Sequence, residues 1–328
     1  MATHHSNSEM SKLLPVNISM NKLAHRVLAG MIDRLHAVPL AGLSAKLITG
    51  LNLFLFPNFL TKLIAGLLAA LPALLAPPVL AQDLDVPYYT TEPEVVDGMM
   101  DMAGVVPGDY LIDLGSGDGR IVIAAARRGA VGHGVDLDPA RIAESDVNAE
   151  NAGVADRVMF LEEDLFDTDF SQATVVTMFL LSAVNLRLRP FLLDRLQPGT
   201  RVISHTFDMD DWEPDKRRTI GIRPVYLWVI PADAAGEWVW KRKDSARITM
   251  SVNQRFQMID VTVTAGGRTL TTEEATLRGE RITLIIQDEQ NGTRYVCNGT
   301  IDGDSITGTL QIHSDDGRHM ETWTAVRN

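Results

Sequence analysis

The pattern of apolar and polar positions divides the 328-residue chain into three parts, the first of which contains a long apolar run. Residues 63–82 carry no charged side chain, and LIAGLLAALPALLA within them has the length of a signal-peptide core. The run also approaches the roughly 20 residues that a membrane span needs, although Pro72, Pro77 and Pro78 interrupt a straight helix. An export signal, a membrane anchor and a buried helix all fit. We assign residues 1–82 to a leader, which predicts that the protein is exported or associated with a membrane. If the leader is not used, we expect a cytoplasmic protein.

Residues 83–243 alternate between short apolar runs and helical patterns. The predicted strands are YLIDLG (110–115), AVGHGVDLD (130–138), RVMFLEEDLF, ATVVTMFLL and GTRVISHTF, with RPVYLWVIP and GEWVWK as a closing hairpin. Between them, RIVIAAARRG, PARIAESDVNAENAG and VNLRLRPFLLDRL have helical patterns, the last bent or restarted at Pro190. Strands alternating with helices predict an α/β domain with a doubly wound, mainly parallel sheet.

Residues 244–328 change to short alternating runs such as ARITMSV and FQMIDVTVTA. The breaks between these runs contain Gly-Gly, Asn-Gly and Asp-Gly, which favour tight hairpin turns. We therefore predict a small antiparallel all-β domain, either a sheet or a barrel, at the end of the chain.

Composition and charge narrow the functional classes. The chain is 45% hydrophobic and 22% charged, which is enough apolar material for a sizeable core. Its net charge of −12 argues against a nucleic-acid-binding surface, which normally has a basic face. The single cysteine, Cys297, excludes an internal disulfide and a cysteine-based zinc cluster.

The loop LIDLGSGDGR follows the first predicted strand and is the strongest chemical signal. A dinucleotide loop has the form G-x-G-x-x-G/A. Gly115 and Gly117 fit its first two positions, but Arg120 occupies the third. Asp113 and Asp118 would each repel a pyrophosphate at a cost of about 1 kcal/mol or more. The loop therefore indicates a ligand without phosphate that has an adenosine half and a cationic, amine-bearing half, as S-adenosylmethionine has.

Two further acids end the next strands. Asp136 is placed to accept hydrogen bonds from ribose hydroxyls, and Asp164 is placed to meet the exocyclic amine of adenine. The alternatives are a tight turn for the glycines, a helix cap for Asp136 and a solvated loop acid for Asp164. The candidate cofactor-binding residues are Asp113, Gly115, Ser116, Gly117, Asp118, Gly119, Asp136 and Asp164.

This region resembles the class I S-adenosylmethionine-dependent methyltransferases, whose first motif is D/E-x-G-x-G-x-G. The stretches DVPYYTTEPEVVDGMM, DLGSGDGRIVIAAARRGA, NAGVADRVMFLEEDLF and RLQPGTRVISHTFDMDDWEPDK are similar to bacterial relatives of the ATP synthase c-subunit lysine N-methyltransferase family. The resemblance covers residues 85–241. It implies a seven-stranded methyltransferase sheet, a cofactor held by Asp113, Gly115, Gly117, Asp136 and Asp164, and a protein lysine as acceptor.

The sequence also departs from the pattern of that family. The C-terminal β domain is not part of that family's core, and bacterial members need not share the substrate. The N/D-P-P-Y/W motif of enzymes that methylate amines in nucleic acids is absent after the fourth strand, where VVTMFLLSAVN stands.

Residues of the acceptor site are less defined, and the catalytic residue stays unknown. Tyr88 and Tyr89 precede the first helix, where their rings either contact a cation or simply pack the helix. His205, with Asp208 and Asp210 nearby, is a candidate base or metal site, a polar loop being the alternative. We assign no metal.

Three functions follow. The first is methyl transfer to a protein lysine. The second is an NAD(P)-dependent oxidoreductase, disfavoured by Asp118 and Arg120. The third is a binding module that uses the C-terminal β domain beside an idle cofactor site, disfavoured by the intact glycines and acids.

Overall fold

The computed structural model describes residues 89–242 and 247–328. The predicted leader, residues 1–82, and the candidate Tyr88 lie outside the described residues. Among the helices of the described part, none combines the length and apolar character needed to cross a membrane. The described residues belong to one compact unit, which contains both domains that follow.

The first domain is an α/β sheet of seven strands in the order β3-β2-β1-β4-β5-β7-β6. Its strands are β1 (Tyr110–Leu114), β2 (Val131–Asp136), β3 (Val158–Glu162), β4 (Val175–Met178), β5 (Arg201–His205), β6 (Lys216–Ile220) and β7 (Arg223–Val229). The first five run parallel, and β7 is antiparallel to both its neighbours. The strand order reverses between β1 and β4, and in such sheets ligands bind outside the carboxyl ends of the strands at this point.

Four helices cover the two faces of this sheet: α1 (Pro93–Ala103), α2 (Arg120–Arg127), α3 (Pro139–Asn151) and α4 (Ser182–Arg195). Successive strand residues point to opposite faces. Leu111 therefore packs in the cluster that contains α1 and α2, while its neighbour Ile112 packs with α4. This two-sided burial explains why the parallel strands read as continuous apolar runs. Pro190 lies inside α4, which continues through it, so the predicted restart there is wrong.

The second domain is a closed antiparallel barrel of eight strands. They are β8 (Gly236–Lys241), β9 (Arg247–Arg255), β10 (Met258–Ala265), β11 (Arg268–Arg278), β12 (Arg281–Asp288), β13 (Thr293–Asp302), β14 (Ser305–Ser314) and β15 (Gly317–Arg327). Inward-facing apolar side chains fill the barrel, among them the fully buried Trp238 and Trp323. The predicted α/β sheet followed by an antiparallel β domain is confirmed.

The strand GEWVWK differs from the prediction. As β8 it pairs with β9 and β15 and closes the barrel, whereas the hairpin that ends the sheet is formed by β6 and β7. The prediction placed this strand in the wrong domain, because its alternation of apolar and polar residues suits a strand of the sheet and a strand of the barrel equally well. Trp238 and Trp240 are buried in the barrel core. The barrel therefore begins before residue 244.

An aromatic contact joins the barrel to the sheet domain. Phe256, in the turn between β9 and β10, stacks on Trp212 with ring centroids 5.6 Å apart. The indole N–H of Trp212 donates to Gln257 Oε1 at 2.9 Å, and Gln257 Nε2 donates to the carbonyl of Glu213 at 2.6 Å. Because Trp212 is fully buried, this contact is part of the packed interior.

Candidate cofactor site

The loop between β1 and α2 has a backbone that needs its glycines. Gly115, Gly117 and Gly119 have φ values of +79°, +52° and +78°, in the left-handed region that residues with a Cβ rarely adopt. A Cβ on Gly119 would also lie 2.6 Å from Cζ of Phe160, a core side chain on β3. The three glycines therefore let the chain turn sharply at the carboxyl end of β1 while α2 packs closely on the sheet.

Asp136, the last residue of β2, supports this loop directly. Its Oδ2 accepts a hydrogen bond from the backbone N–H of Gly117 at 2.8 Å, and its Oδ1 accepts one from the N–H of Asp138 at 2.9 Å. Asp138 is the N-cap residue of α3, and its Oδ1 accepts a hydrogen bond from the N–H of Ala140 at 2.8 Å. Asp136 is therefore not the helix cap, and it lines the cleft in front of the loop.

Asp113 lies beneath the same loop and is almost fully buried. Burial raises the pKa of its carboxyl to about 7, the hydrogen bond that Thr177 donates at 2.7 Å opposes the rise, and the negative charges of Asp136 and Asp118 add to it. A buried carboxyl of this kind gains its charge readily when a cation approaches. The cleft therefore has a carboxyl that suits a positively charged ligand.

Asp118 is not the bare carboxylate that the sequence suggested. It forms an ion pair with Arg120 at 2.5 Å, and Arg120 Nη1 donates to the carbonyl of Thr91 at 2.7 Å. Asn148 of α3 donates to the Asp118 carbonyl at 2.9 Å. The pair neutralises part of the loop's negative charge and ties the loop to the segment before α1.

Ser116 presents a buried hydroxyl to the cleft. The residue is 5% exposed, and its Oγ has no hydrogen-bond partner in the described part of the chain. The close approach of β2 makes this burial possible, since a Cβ on Gly134 would lie 2.4 Å from that of Ser116. Buried hydroxyls nearly always have a partner. The position therefore fits a polar atom of a ligand.

The loop after β3 contributes residues other than the one predicted. Glu163 and Leu165 line the cleft, whereas Asp164 Oδ1 accepts a hydrogen bond from the N–H of Phe166 at 2.9 Å. Burial, together with the charges of Asp167 and Asp169, raises the pKa of Glu163. Sequence reasoning did not select Glu163, because three consecutive acids give no signal for which one lines the cleft.

One part of the cleft wall is more apolar than the rest. Tyr89, Thr91, Phe179 and Leu180 line it, and Tyr89 is 75% exposed. Phe179 and Leu180 follow β4, in the stretch where the sequence lacked an N/D-P-P-Y/W motif. An open mouth beside an apolar wall is suited to a side chain that enters from another molecule.

His205 lies behind this wall. Its ring is buried, its Nδ1 is 3.1 Å from Thr91 Oγ1, and its ring centroid is 4.0 Å from that of Phe179. Burial lowers the pKa of His205 to about 4, with Glu92 opposing and Arg223 adding to the effect. The imidazole is therefore neutral at physiological pH, and it supports two residues of the cleft wall.

The metal cluster considered around His205 does not form. Asp208 and Asp210 are exposed, while His205 is buried. The described residues contain no group of three or more histidine, cysteine or acidic side chains that could hold a metal ion. The interpretation of His205, Asp208 and Asp210 as a metal site is wrong, since burial separates the imidazole from the two acids.

Comparison with known proteins identifies the family. The model of the ANTKMT methyltransferase domain matches residues 113–216, from Asp113 to the start of β6. A protein-lysine N-methyltransferase of Saccharolobus islandicus is 43% identical over 155 residues, which cover 44% of this chain and 94% of that protein. The chain belongs to the class I S-adenosylmethionine-dependent methyltransferases. S-adenosyl-L-methionine is the cofactor of this methyltransferase, and the oxidoreductase alternative is not supported.

Two other proteins are also similar to this chain. The human ATP synthase c-subunit lysine N-methyltransferase is 33% identical over 172 residues, covering 52% of this chain and 73% of that protein. A crystal structure from Salinibacter ruber, named an RNA methyltransferase and solved with S-adenosyl-L-homocysteine, is 51% identical. It covers 44% of this chain and 95% of that chain, with a TM-score of 0.44. The family model ends before β8, so its match does not include the barrel.

Proposed function

We propose that this methyltransferase transfers a methyl group to a lysine amine of a protein. The observation that carries the proposal is the similarity to a protein-lysine N-methyltransferase. The two sequences are 43% identical, and the match covers 94% of the length of that methyltransferase. The net charge of −12 supports it, because an acidic protein attracts basic segments and repels phosphate backbones.

The residues around the β1–α2 loop fit S-adenosylmethionine, which supplies an electrophilic methyl group on a sulfonium. Asp136 would accept hydrogen bonds from the ribose hydroxyls. Asp113 would balance the positive charge of the methionine half, and the Ser116 hydroxyl would gain the partner that it lacks within the protein. The backbone of the glycine loop would lie against the ligand, because no side chain intervenes at Gly115 and Gly117.

The adenine end would be held by the loop after β3. Glu163 and Leu165 line the cleft there. Asp164, the residue predicted for this role, remains a candidate if its carboxylate exchanges the bond to the N–H of Phe166 for one to the adenine amine. Leu165 would contact the face of the adenine ring, and the neighbouring Glu163 would accept a hydrogen bond from the adenine amine.

An acceptor lysine must be neutral when it attacks. We assign this to desolvation in the apolar end of the cleft, which disfavours the ammonium form, with the proton lost to water before transfer. Tyr89 and Phe179 would hold the lysine stem in line with the methyl group, since alignment is the main requirement of such a displacement. His205 acts as a positioning residue, because its buried ring touches Thr91 and Phe179.

The test uses the full chain, tritiated cofactor and an extract of cells that lack the protein. We expect label in protein, recovered as methyl-lysine after acid hydrolysis and resistant to nuclease treatment. The Asp136→Ala variant serves as the control that should transfer little label. Label recovered in RNA, or in a protein residue other than lysine, would contradict the proposed acceptor.

A further inference from the structure

The barrel contains a short ladder between β10 and β11. These strands pair at three positions, where Val263, Thr264 and Ala265 face Leu270, Thr269 and Arg268. The other edge of β10 pairs with β9 along its whole length, and β11 pairs with β12 from Thr271 to Arg278. Most of the facing edges of β10 and β11 therefore lie outside the ladder that joins the two strands.

Beyond these pairs the strands separate around a cleft of about 370 Å³, which we call the β10–β11 cleft. Its walls are Ile259–Thr262 on one side and residues from Thr269 to Ala275 on the other. A register shift between Thr272 and Glu274 marks a β-bulge in β11, and bulges bend the strand that carries them. The bend explains why a barrel with full ladders on either side opens here.

The backbone of β10 directs hydrogen-bonding groups into this cleft. The hydroxyl of Thr272 donates to the carbonyl of Val261 at 3.0 Å, so this carbonyl points towards β11 and is already bonded to it, next to the paired residues. In an antiparallel ladder the backbone groups of alternate residues point to the same side. Ile259, two residues further from the ladder, therefore presents its N–H and C=O to the cleft, and such a strand edge is a template for another strand.

Charge determines which segment this edge would accept. Asp260 and Glu274 are exposed beside the cleft, and neither forms an ion pair with another described residue. Glu273 is already paired with Arg294 at 3.1 Å. On the inner side, Val261 and Leu270 are buried and apolar. A complementary strand would therefore alternate basic residues on its outer face with apolar residues on its inner face.

We propose that the β10–β11 cleft binds an extended segment of a protein partner, rich in lysine or arginine, by β-strand addition. The partner's backbone completes the ladder, and its basic side chains pair with Asp260 and Glu274. Main-chain hydrogen bonds supply the affinity and alternate side chains supply the specificity, as in other cases of strand addition. The proposal concerns the barrel alone and stands whether or not the methyl acceptor is a lysine.

The binding test uses the full chain and a fluorescein-labelled ten-residue peptide of alternating lysine and valine. Fluorescence anisotropy should show binding of this peptide and none of a peptide that alternates glutamate and valine. The double variant Asp260→Lys/Glu274→Lys should weaken binding about tenfold or more, as expected for reversing two interfacial charges. The matched control is Asp315→Lys, an exposed acid in the turn between β14 and β15, across the barrel from the cleft, which should leave the affinity within about twofold.

A backbone readout separates strand addition from general charge attraction. Amide hydrogen exchange should slow at residues 258–262 and 271–275 when the lysine–valine peptide is bound. Ile259→Pro removes a backbone donor that faces the cleft and should abolish both binding and protection, whereas Ile259→Ala keeps the donor and should bind. An unchanged tryptophan fluorescence spectrum, which reports on the buried Trp238 and Trp323, checks that the barrel of each variant is folded. Binding that survives in the charge variant or in Ile259→Pro, or that leaves exchange at the cleft unchanged, overturns the proposal.

Discussion

The carboxylate of Asp136 accepts a hydrogen bond from the backbone N–H of Gly117 at 2.8 Å, which joins the end of β2 to the middle of the glycine loop. The end of β2 and the glycine loop, which the sequence analysis treated as separate signals, are therefore joined by a direct hydrogen bond. Asp136 fixes the loop through Gly117, and we propose that the cofactor uses its remaining acceptor capacity.

Replacing Asp136 by alanine should weaken S-adenosylmethionine binding by roughly 1.5–3 kcal/mol, since hydrogen bonds to a charged acceptor are lost. Isothermal titration calorimetry measures this directly. Asp156→Ala, at an exposed site before β3, is the matched control and should bind like the parent protein. Equal affinities for the two variants would remove Asp136 from the cofactor site.

Gly119→Ala should destabilise the fold, because the added Cβ would lie 2.6 Å from Phe160 and 3.0 Å from Ser145 in a left-handed backbone. Gly153 also has a positive φ, of +69°, but a Cβ there meets nothing within 4 Å. Both variants share the backbone strain, so the difference between them isolates the clash. Urea unfolding should show Gly119→Ala to be less stable than Gly153→Ala by about 1–3 kcal/mol. Equal stabilities would contradict the close packing of α2 on β3.

Binding of S-adenosylmethionine should strengthen as the pH rises through about 7. The raised pKa of Asp113, which burial places at about 7, means that the free protein holds a proton there that a cationic ligand displaces. Calorimetry in buffers of different ionisation enthalpy should show proton release near pH 6.5, and Asp113→Asn should show none. If the variant keeps the same pH dependence, another group is responsible.

The same shift has an effect on the stability of the free protein. An unfolded aspartate titrates near 3.8, whereas folded Asp113 titrates near 7. The folded state therefore binds more protons between these values, and its stability falls as the pH rises from about 4 to about 7. The melting temperature of the parent protein should therefore fall more between about pH 4 and pH 7 than that of Asp113→Asn, which lacks this titrating group.

His205 should not give a titration step to the reaction rate near neutral pH. Its pKa is lowered to about 4 by burial, and its ring touches the cleft through Thr91 and Phe179. We expect His205→Gln to lower kcat while the pH profile between 6 and 9 keeps its shape. A profile that loses an inflection in the variant would show that His205 exchanges protons during turnover.

A chain that ends at Ala235, before β8, should fold and bind cofactor better than one that ends at Lys243. The longer version exposes Trp238 and Trp240, which belong in the barrel core. Both versions lose the contact of Phe256 with Trp212, so each should melt at a lower temperature than the full chain. A version ending at Ala235 that is folded and binds no cofactor would show that the barrel completes the site.

Several parts of the site could be predicted because they depend on local sequence. Gly115, Gly117 and Gly119 signalled a turn that requires positive φ, and Asp136 followed a short apolar run whose carboxyl end had to meet the loop. Parallel strands bring such ends together regardless of the residues between them. The sheet and the nature of the ligand followed from these positions.

Other parts depend on contacts between distant segments. The assignment of GEWVWK to the sheet was wrong because β8 finds its partners in β9 and β15, the latter near the end of the chain. The contacts of Arg120 with Asp118 and Thr91 also required the fold, since Thr91 lies 29 positions away. Which acid of the Glu-Glu-Asp run faces the cleft is decided by strand register.

The central claim, that this cleft directs methylation of protein lysines, is tested most directly in cells by mass spectrometry of lysine methylation. Cells lacking the protein are supplied with the parent chain, with Asp136→Ala or with Asp156→Ala. We predict a set of methylated lysines that disappears without the protein, returns with the parent chain and Asp156→Ala, and stays absent with Asp136→Ala. Lysine methylation that is unchanged by loss of the protein, or that returns fully with Asp136→Ala, would contradict this account.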